Sequence, residues 1–157
     1  MSQPLFVSLI EEFCKLSNLN NPSDIVHGSP IEVDGVTFSV VYSEKINIGL
    51  LFIYCDFGEP PAGRERDAYR AVLKKNLFLH SGSGPVFTIS PDTGRIVLAQ
   101  HEQLTETTPG SLTERLIALS EEAKIWRKDP LHYGEAAHQA TRTPYRGSAA
   151  FAALSHR

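Results

Sequence analysis

Ten consecutive positions, Ile46 to Cys55, set the tightest constraint on the fold, because both parities are apolar. Ile46, Ile48, Leu50, Phe52 and Tyr54 fall on one side of an extended chain, and Leu51, Ile53 and Cys55 on the other. A strand of this kind has no face to give to water and must be covered twice. At 157 residues, 41% of them hydrophobic, the chain is one ordinary domain that buries roughly two-thirds of its unfolded surface. Helices can supply one cover; the other calls for a second helix layer or a partner subunit.

The flanking pattern supplies the rest of the elements. Leu5 to Leu19 puts Phe6, Leu9, Ile10, Phe13 and Leu16 on one helical face, with Ser2 as a candidate cap and Asn18 to Pro22 as the stop. Ile31-Glu32-Val33, Asp34-Gly35 and Val36 to Tyr42 read as a hairpin, since Asp-Gly supplies the positive φ angles of a tight turn. After Pro60-Pro61, Arg64 to Phe78 forms a helix with Tyr69, Val72, Leu73 and Leu77 apolar and Ala68 and Ala71 small. Ser81 to Pro85 is a flexible turn. Val86 to Ser90 and Arg95 to Ala99 pair around Pro91-Asp92-Thr93-Gly94, and a last helix opens with the capping-box pattern Ser111-Leu112-Thr113-Glu114. Its stripe is Leu112, Leu116, Leu119, Ala123 and Trp126. The order α-β-β-β-α-β-β-α predicts an α+β fold with a mainly antiparallel sheet and three helices.

Charge divides the chain. Residues 1–128 hold twelve Lys and Arg against sixteen Asp and Glu, while 129–157 hold three Arg against two carboxylates. The body, 1–128, is therefore expected to be the folded domain and 129–157 a partly disordered extension rich in Ala, His, Thr and Arg. A net charge of −3 excludes a broad basic face for nucleic acid. No run is long enough to span a bilayer, and Met1 to Pro4 lacks a signal-peptide layout, so a cytoplasmic protein is expected.

Catalytic patterns are missing. The six histidines show no metal-ligand spacing, and Gly82-Ser83-Gly84 matches neither a nucleophile elbow nor a phosphate loop. Glu11-Glu12, Glu121-Glu122 and Glu65 with Asp67 read as solvated helix faces. Asp56 stands at the end of a strand with no identifiable acid, base or nucleophile to pair with. Cys14 and Cys55 lie in apolar runs and read as buried, reduced thiols. A non-enzymatic binding protein needing no cofactor is the expectation.

Taken in order, these segments resemble the class I chaperones of bacterial type III secretion, the Tir-chaperone (CesT-like) family. The resemblance runs over residues 3–128. It is carried by the first helix, Ile31-Glu32-Val33-Asp34-Gly35, Leu50 to Gly58 before its proline turn, Leu73-Lys74-Lys75-Asn76-Leu77, Ser90 to Leu98, and Ala123 with Trp126-Arg127. It implies a cytoplasmic homodimer that holds the N-terminal segment of a secreted effector in extended form without ATP. Carried onto this chain, the effector-binding positions are Leu5, Leu9, Leu16, Val36, Phe38 and Val40, and the dimer interface is Tyr69, Val72, Leu73, Ile96 and Leu98. Components of the secretion machinery are further candidate partners. The alternative is a non-enzymatic adaptor that uses the same fold to bind a folded partner.

Overall fold

The structure, a computed structural model, describes residues 2–79 and 84–133. Most of the expected Ser81 to Pro85 turn, the segment 134–157 of the expected extension, and His80, His138 and His156 lie outside them. The elements are α1 (Ser2–Ser17), α2 (Pro22–Val26), β1 (Ile31–Val33), β2 (Val36–Tyr42), β3 (Leu50–Gly58), α3 (Glu65–Leu79), β4 (Val86–Ile89), β5 (Ile96–Gln103) and α4 (Pro109–Lys128). They form one antiparallel sheet in the order β1-β2-β3-β5-β4, with helices packed on it, as an α+β fold requires.

Helix α1 buries Phe6, Leu9, Ile10, Phe13 and Cys14, the spacing of one helical face. Ser2 already lies inside the helix, so it is not the cap expected of it. The stop is a Schellman closure: Asn18 takes φ 52°, and Leu19 N–H donates to Cys14 O at 2.9 Å while its side chain packs on the core. Five-residue α2 is too short to leave a periodic pattern. Asn21 in the left-handed region followed by Pro22 starts it, and Ile25 anchors it.

At the β1–β2 turn Asp34 and Gly35 both have positive φ, at 50° and 76°, which is why Asp-Gly works there. Strand β3 corrects the opening expectation. Ile46 and Ile48 belong to the loop before it and are exposed, because the β2 strand ends at Tyr42 and leaves them unpaired. From Leu50 the alternation is clear. Leu51, Ile53, Cys55 and Phe57 are buried under helices, while Leu50, Phe52 and Tyr54 face out, only partly covered. On that outer face the Phe52 ring lies 6.3 Å from His101.

Helix α4 packs on α1, β1, β2 and β3 and buries its whole expected stripe together with Ser120. Its cap lies one turn earlier than expected: Thr108 Oγ1 accepts from Ser111 N–H at 3.1 Å, and Ser111 Oγ accepts from Thr108 N–H at 2.9 Å. Pro109 suits the first helical position and moves the start there. Near the far end of the helix, Arg127 donates to three backbone carbonyls, Phe57 O, Asp56 O and Gly35 O, at 2.7 to 2.9 Å. One guanidinium thus ties α4 to the end of β3 and to the β1–β2 turn.

The packed body continues past Lys128. Leu131 and Tyr133 lie against the core, and the Tyr133 ring meets Phe57 and Phe87 edge-on at 6.2 and 5.9 Å. Its hydroxyl donates to Glu122 Oε2 at 2.6 Å.

Candidate functional site

A sheet has two edges, and they differ here. The outer edge of β4 is covered by α3. On the opposite edge, β1 is paired, among the described residues, only to β2. Because a two-residue turn makes Val33 and Val36 the closing hydrogen-bonded pair, Glu32 and Thr37 form a non-bonded pair. The N–H and C=O of Glu32 therefore point away from β2, available to another strand.

Beside this edge runs a groove of about 350 Å³. Phe13, Leu16, Ser17 and Leu19 supply one wall, Thr113, Leu116 and Ile117 of α4 the other, and β1 with its turn the floor. Leu16 is 59% exposed and Ile117 47%, large apolar groups left in water at the rim. Ser17 Oγ is buried with no hydrogen-bond partner among the described residues, a cost of about 1–3 kcal/mol unless something arrives to satisfy it. Glu32 and Asp34 add negative charge on the floor side. The groove can accept an extended apolar segment: backbone to backbone along β1, side chains against Leu16 and Ile117.

The sequence-derived effector positions separate in the structure. Leu16 lines the groove, and Leu5 is exposed elsewhere on α1. Leu9, Val36, Phe38 and Val40 are buried core, because the inward faces of α1 and β2 close on α4 and on each other. Ile117 and Ser17 were not foreseen. Ile117 had a readable signal, an isoleucine off the buried stripe of its helix, whereas Ser17 carries none.

The dimer positions divide in the same way. Val72, Ile96 and Leu98 are buried within the chain, and Tyr69, half-buried, donates to Gly94 O at 2.9 Å. Leu73 is exposed. Two further residues on α3, Leu77 and Phe78, and two on β4, Val86 and Ile89, are exposed as well. Asp56 is structural: its carboxylate takes a two-point hydrogen bond from Arg95 Nε and Nη2, both at 2.9 Å to Oδ2, and Glu59 takes Arg95 Nη1 at 3.1 Å. Both cysteines are buried and free; burial raises the Cys14 pKa and pushes Cys55 up to about 12, which disfavours the reactive thiolate at both.

The model of the Tir chaperone protein (CesT) family matches residues 34–127, from the β1–β2 turn to Arg127. The chain belongs to the Tir chaperone family. No curated protein matches the sequence. Solved structures share the fold of this Tir chaperone family member at low identity. The Yersinia pestis type III secretion chaperone SycH, in complex with a stable fragment of YscM2, is 18% identical, with 75% of this chain and 96% of that one covered and a TM-score of 0.55. The ExsC–ExsE complex gives 18% identity, 78% and 91% coverage and a TM-score of 0.64. The HopA1–SchA chaperone–effector complex gives 15%, 82% and 97%, with 0.56. The α4 wall of the groove lies inside the family match; α1 and all of β1 precede it.

Proposed function

We propose that this Tir chaperone family member is a non-enzymatic, ATP-independent chaperone of type III secretion. It acts in the bacterial cytoplasm, where it holds the N-terminal segment of a secreted effector in extended form, soluble and ready for export. The observation that carries this reading is the pairing of a free strand edge at Glu32 with an apolar groove rimmed by Leu16 and Ile117. Family membership and the complexes of the structural relatives support it. Among the described residues no helix is long and apolar enough to cross a membrane.

The energetics ask for a long client segment. Ordering a disordered chain costs about 2–5 kcal/mol or more. Full burial of one large apolar side chain returns about 1.5–3 kcal/mol, and Leu16 and Ile117 are each about half-buried already. The groove alone therefore roughly balances the ordering cost, and further contacts must add the affinity. A homodimer provides them by presenting two grooves to one client. Its interface is assigned to α3 and β4, with Leu73 retained from the sequence reading and Leu77 and Phe78 added, since these are 62%, 75% and 63% exposed.

The test is co-expression with N-terminal segments of secreted proteins from the same bacterium. Soluble co-purification of one segment, lost in Leu16→Asp and Ile117→Asp while circular dichroism is unchanged, is the expected result. Capture that survives both substitutions would place the client elsewhere.

A further inference from the structure

The free edge of β1 constrains a client more tightly than the groove beside it does. The strand is only three residues long, and Glu32 alone in it turns both backbone groups outward. Pro30, next in that phase on one side, has no N–H to donate. Asp34, next on the other, is carried out of strand geometry by its φ of 50°. A strand added here is therefore fixed in register: one of its residues lies opposite Glu32, where the bonds of the Glu32 N–H and C=O are made.

Parity then decides where each client side chain goes. Ile31 is buried and Val33 packs on the core, so the Glu32 side chain stands on the other face of the sheet, exposed to water. Directly opposite residues on paired strands share a face. The client residue opposite Glu32 thus points outward, beside the carboxylate. The residues before and after it point inward, to the groove rimmed by Leu16 and Ile117.

Charge narrows the outward residue. Glu32 has no hydrogen-bond or ion-pair partner among the described residues, and Thr37, its neighbour on β2, is uncharged. Glu32 lines both the groove and a second hollow of about 210 Å³ at the start of β1. Among the described residues those two linings hold Asp24, Glu32 and Asp34 and no Lys or Arg. Asp34 already has a cation, Lys124 Nζ at 3.3 Å, which leaves Glu32 as the uncompensated charge on the strand. An opposite charge directly across a strand pair stabilises it and a like charge opposes it. The edge can therefore discriminate by attraction and by repulsion together. It lies at the far end of the sheet from β4 and the α3 face assigned to the dimer, so it stays open in that assembly.

We propose that Glu32 selects the client: the segment that adds to β1 carries Lys or Arg opposite Glu32, between two apolar residues that enter the groove. The inference rests on the extended-client reading of the groove given above and supplies the charge which that reading leaves open.

The test follows the backbone amide resonances of the isotope-labelled full chain during titration to millimolar concentrations with short Ser- and Thr-flanked peptides. Their centres are Leu-Lys-Ile, Leu-Gln-Ile and Leu-Glu-Ile, and a fourth peptide has Ser-Lys-Ser. The Lys-centred peptide should shift the Glu32 and Leu16 amides and bind at least about threefold tighter than the Glu-centred one, with the Gln-centred one between them. Glu32→Lys should reverse that order, and the milder Glu32→Gln should level it. Asp92→Lys, the same charge change on the β4–β5 turn, should keep the order of the parent. Equal affinity of the three Leu–Ile peptides for the parent, an order that Glu32→Lys leaves unchanged, or an order that Asp92→Lys reverses as well would overturn the role of Glu32 while leaving the groove reading intact. Failure of every peptide to move the Glu32 and Leu16 amides, or equal binding of the Ser-Lys-Ser peptide, would overturn the groove reading and this inference with it.

Discussion

Asn76 holds Phe87 by both of its backbone groups. The Asn76 amide donates to Phe87 O at 3.0 Å and accepts from Phe87 N–H at 2.7 Å, so one side chain of α3 plays the part of a neighbouring strand at the outer edge of β4. Exposed strand edges invite unwanted pairing, and this one is closed from within the chain. Asn76→Ala should leave both groups of Phe87 without partners and cost about 1–3 kcal/mol. Urea unfolding of the parent and variant checks it, and the variant should also show more high-mass material on sizing.

Gly58 sits at the β3 bulge with φ 128°, and a Cβ there would come 3.3 Å from the Trp126 ring. Backbone strain of this kind costs on the order of 1–3 kcal/mol, and Trp126 is packed among Phe57 and the α4 stripe with little room to yield. Gly58→Ala should lower the melting temperature by several degrees, whereas Gly63→Ala, where open space surrounds the site, should show the smaller effect of its positive φ alone.

Removing an unsatisfied hydroxyl separates stability from binding. Ser17→Ala should leave the free protein as stable as before or up to about 1–3 kcal/mol more so, since the buried Oγ has no partner among the described residues to lose. If the client backbone satisfies that hydroxyl in the groove, the same change should weaken capture several-fold. Chemical unfolding and client titration on one preparation give both answers.

The Cys55 thiol titrates near pH 12 in the fold against 9.0 for an unburied thiol, with desolvation the main cause, partly opposed by Arg127. An acid whose folded pKa is raised keeps its proton better in the folded state. Its contribution is therefore fully present below pH 9 and is lost as pH rises from 9 towards 12. Burial moves Cys14 the same way. Stability should fall above pH 9, less steeply in Cys55→Ser after correction for its own cost. A thiol reagent at pH 8 should label the folded chain only at the rate of its opening.

Truncation locates the end of the body. A chain stopped after Lys128 loses the packing of Leu131 and Tyr133 on Phe57 and Phe87 and the bond to Glu122, and should be less stable than one stopped after Tyr133 by about 1–3 kcal/mol. Thermal unfolding of the two truncations measures the difference.

Alternation and periodicity exposed most of the fold. Val36, Phe38, Val40 and Tyr42 declared one buried face, Asp34-Gly35 declared the turn, and the α4 stripe from Leu112 to Trp126 was legible to the residue. The same patterns misled about the site. They register that a side chain is apolar but not whether another element covers it, which is why core residues Leu9 and Phe38 resembled a binding patch as much as Leu16 did. Ile46 and Ile48 mimicked a strand because period-two alternation persists for a few residues in a loop. The partnerships of Arg127, Asn76 and Asp56 join positions far apart in sequence, and no local pattern encodes them.

The groove beside β1 takes its walls from α1 and α4, the first and last helices among the described residues. A ribosome adding about 5–20 residues per second releases α1 and β1 roughly 4–15 s before α4 begins to emerge, by the same rates. Strand β5, which separates β3 from β4 in the sheet, also arrives late. Until then the apolar face of α1 has neither its sheet nor its companion helix. A nascent copy therefore passes through an interval in which it exposes the kind of surface its proposed role is to shield on another protein, and becomes competent to receive a client only once α4 has followed.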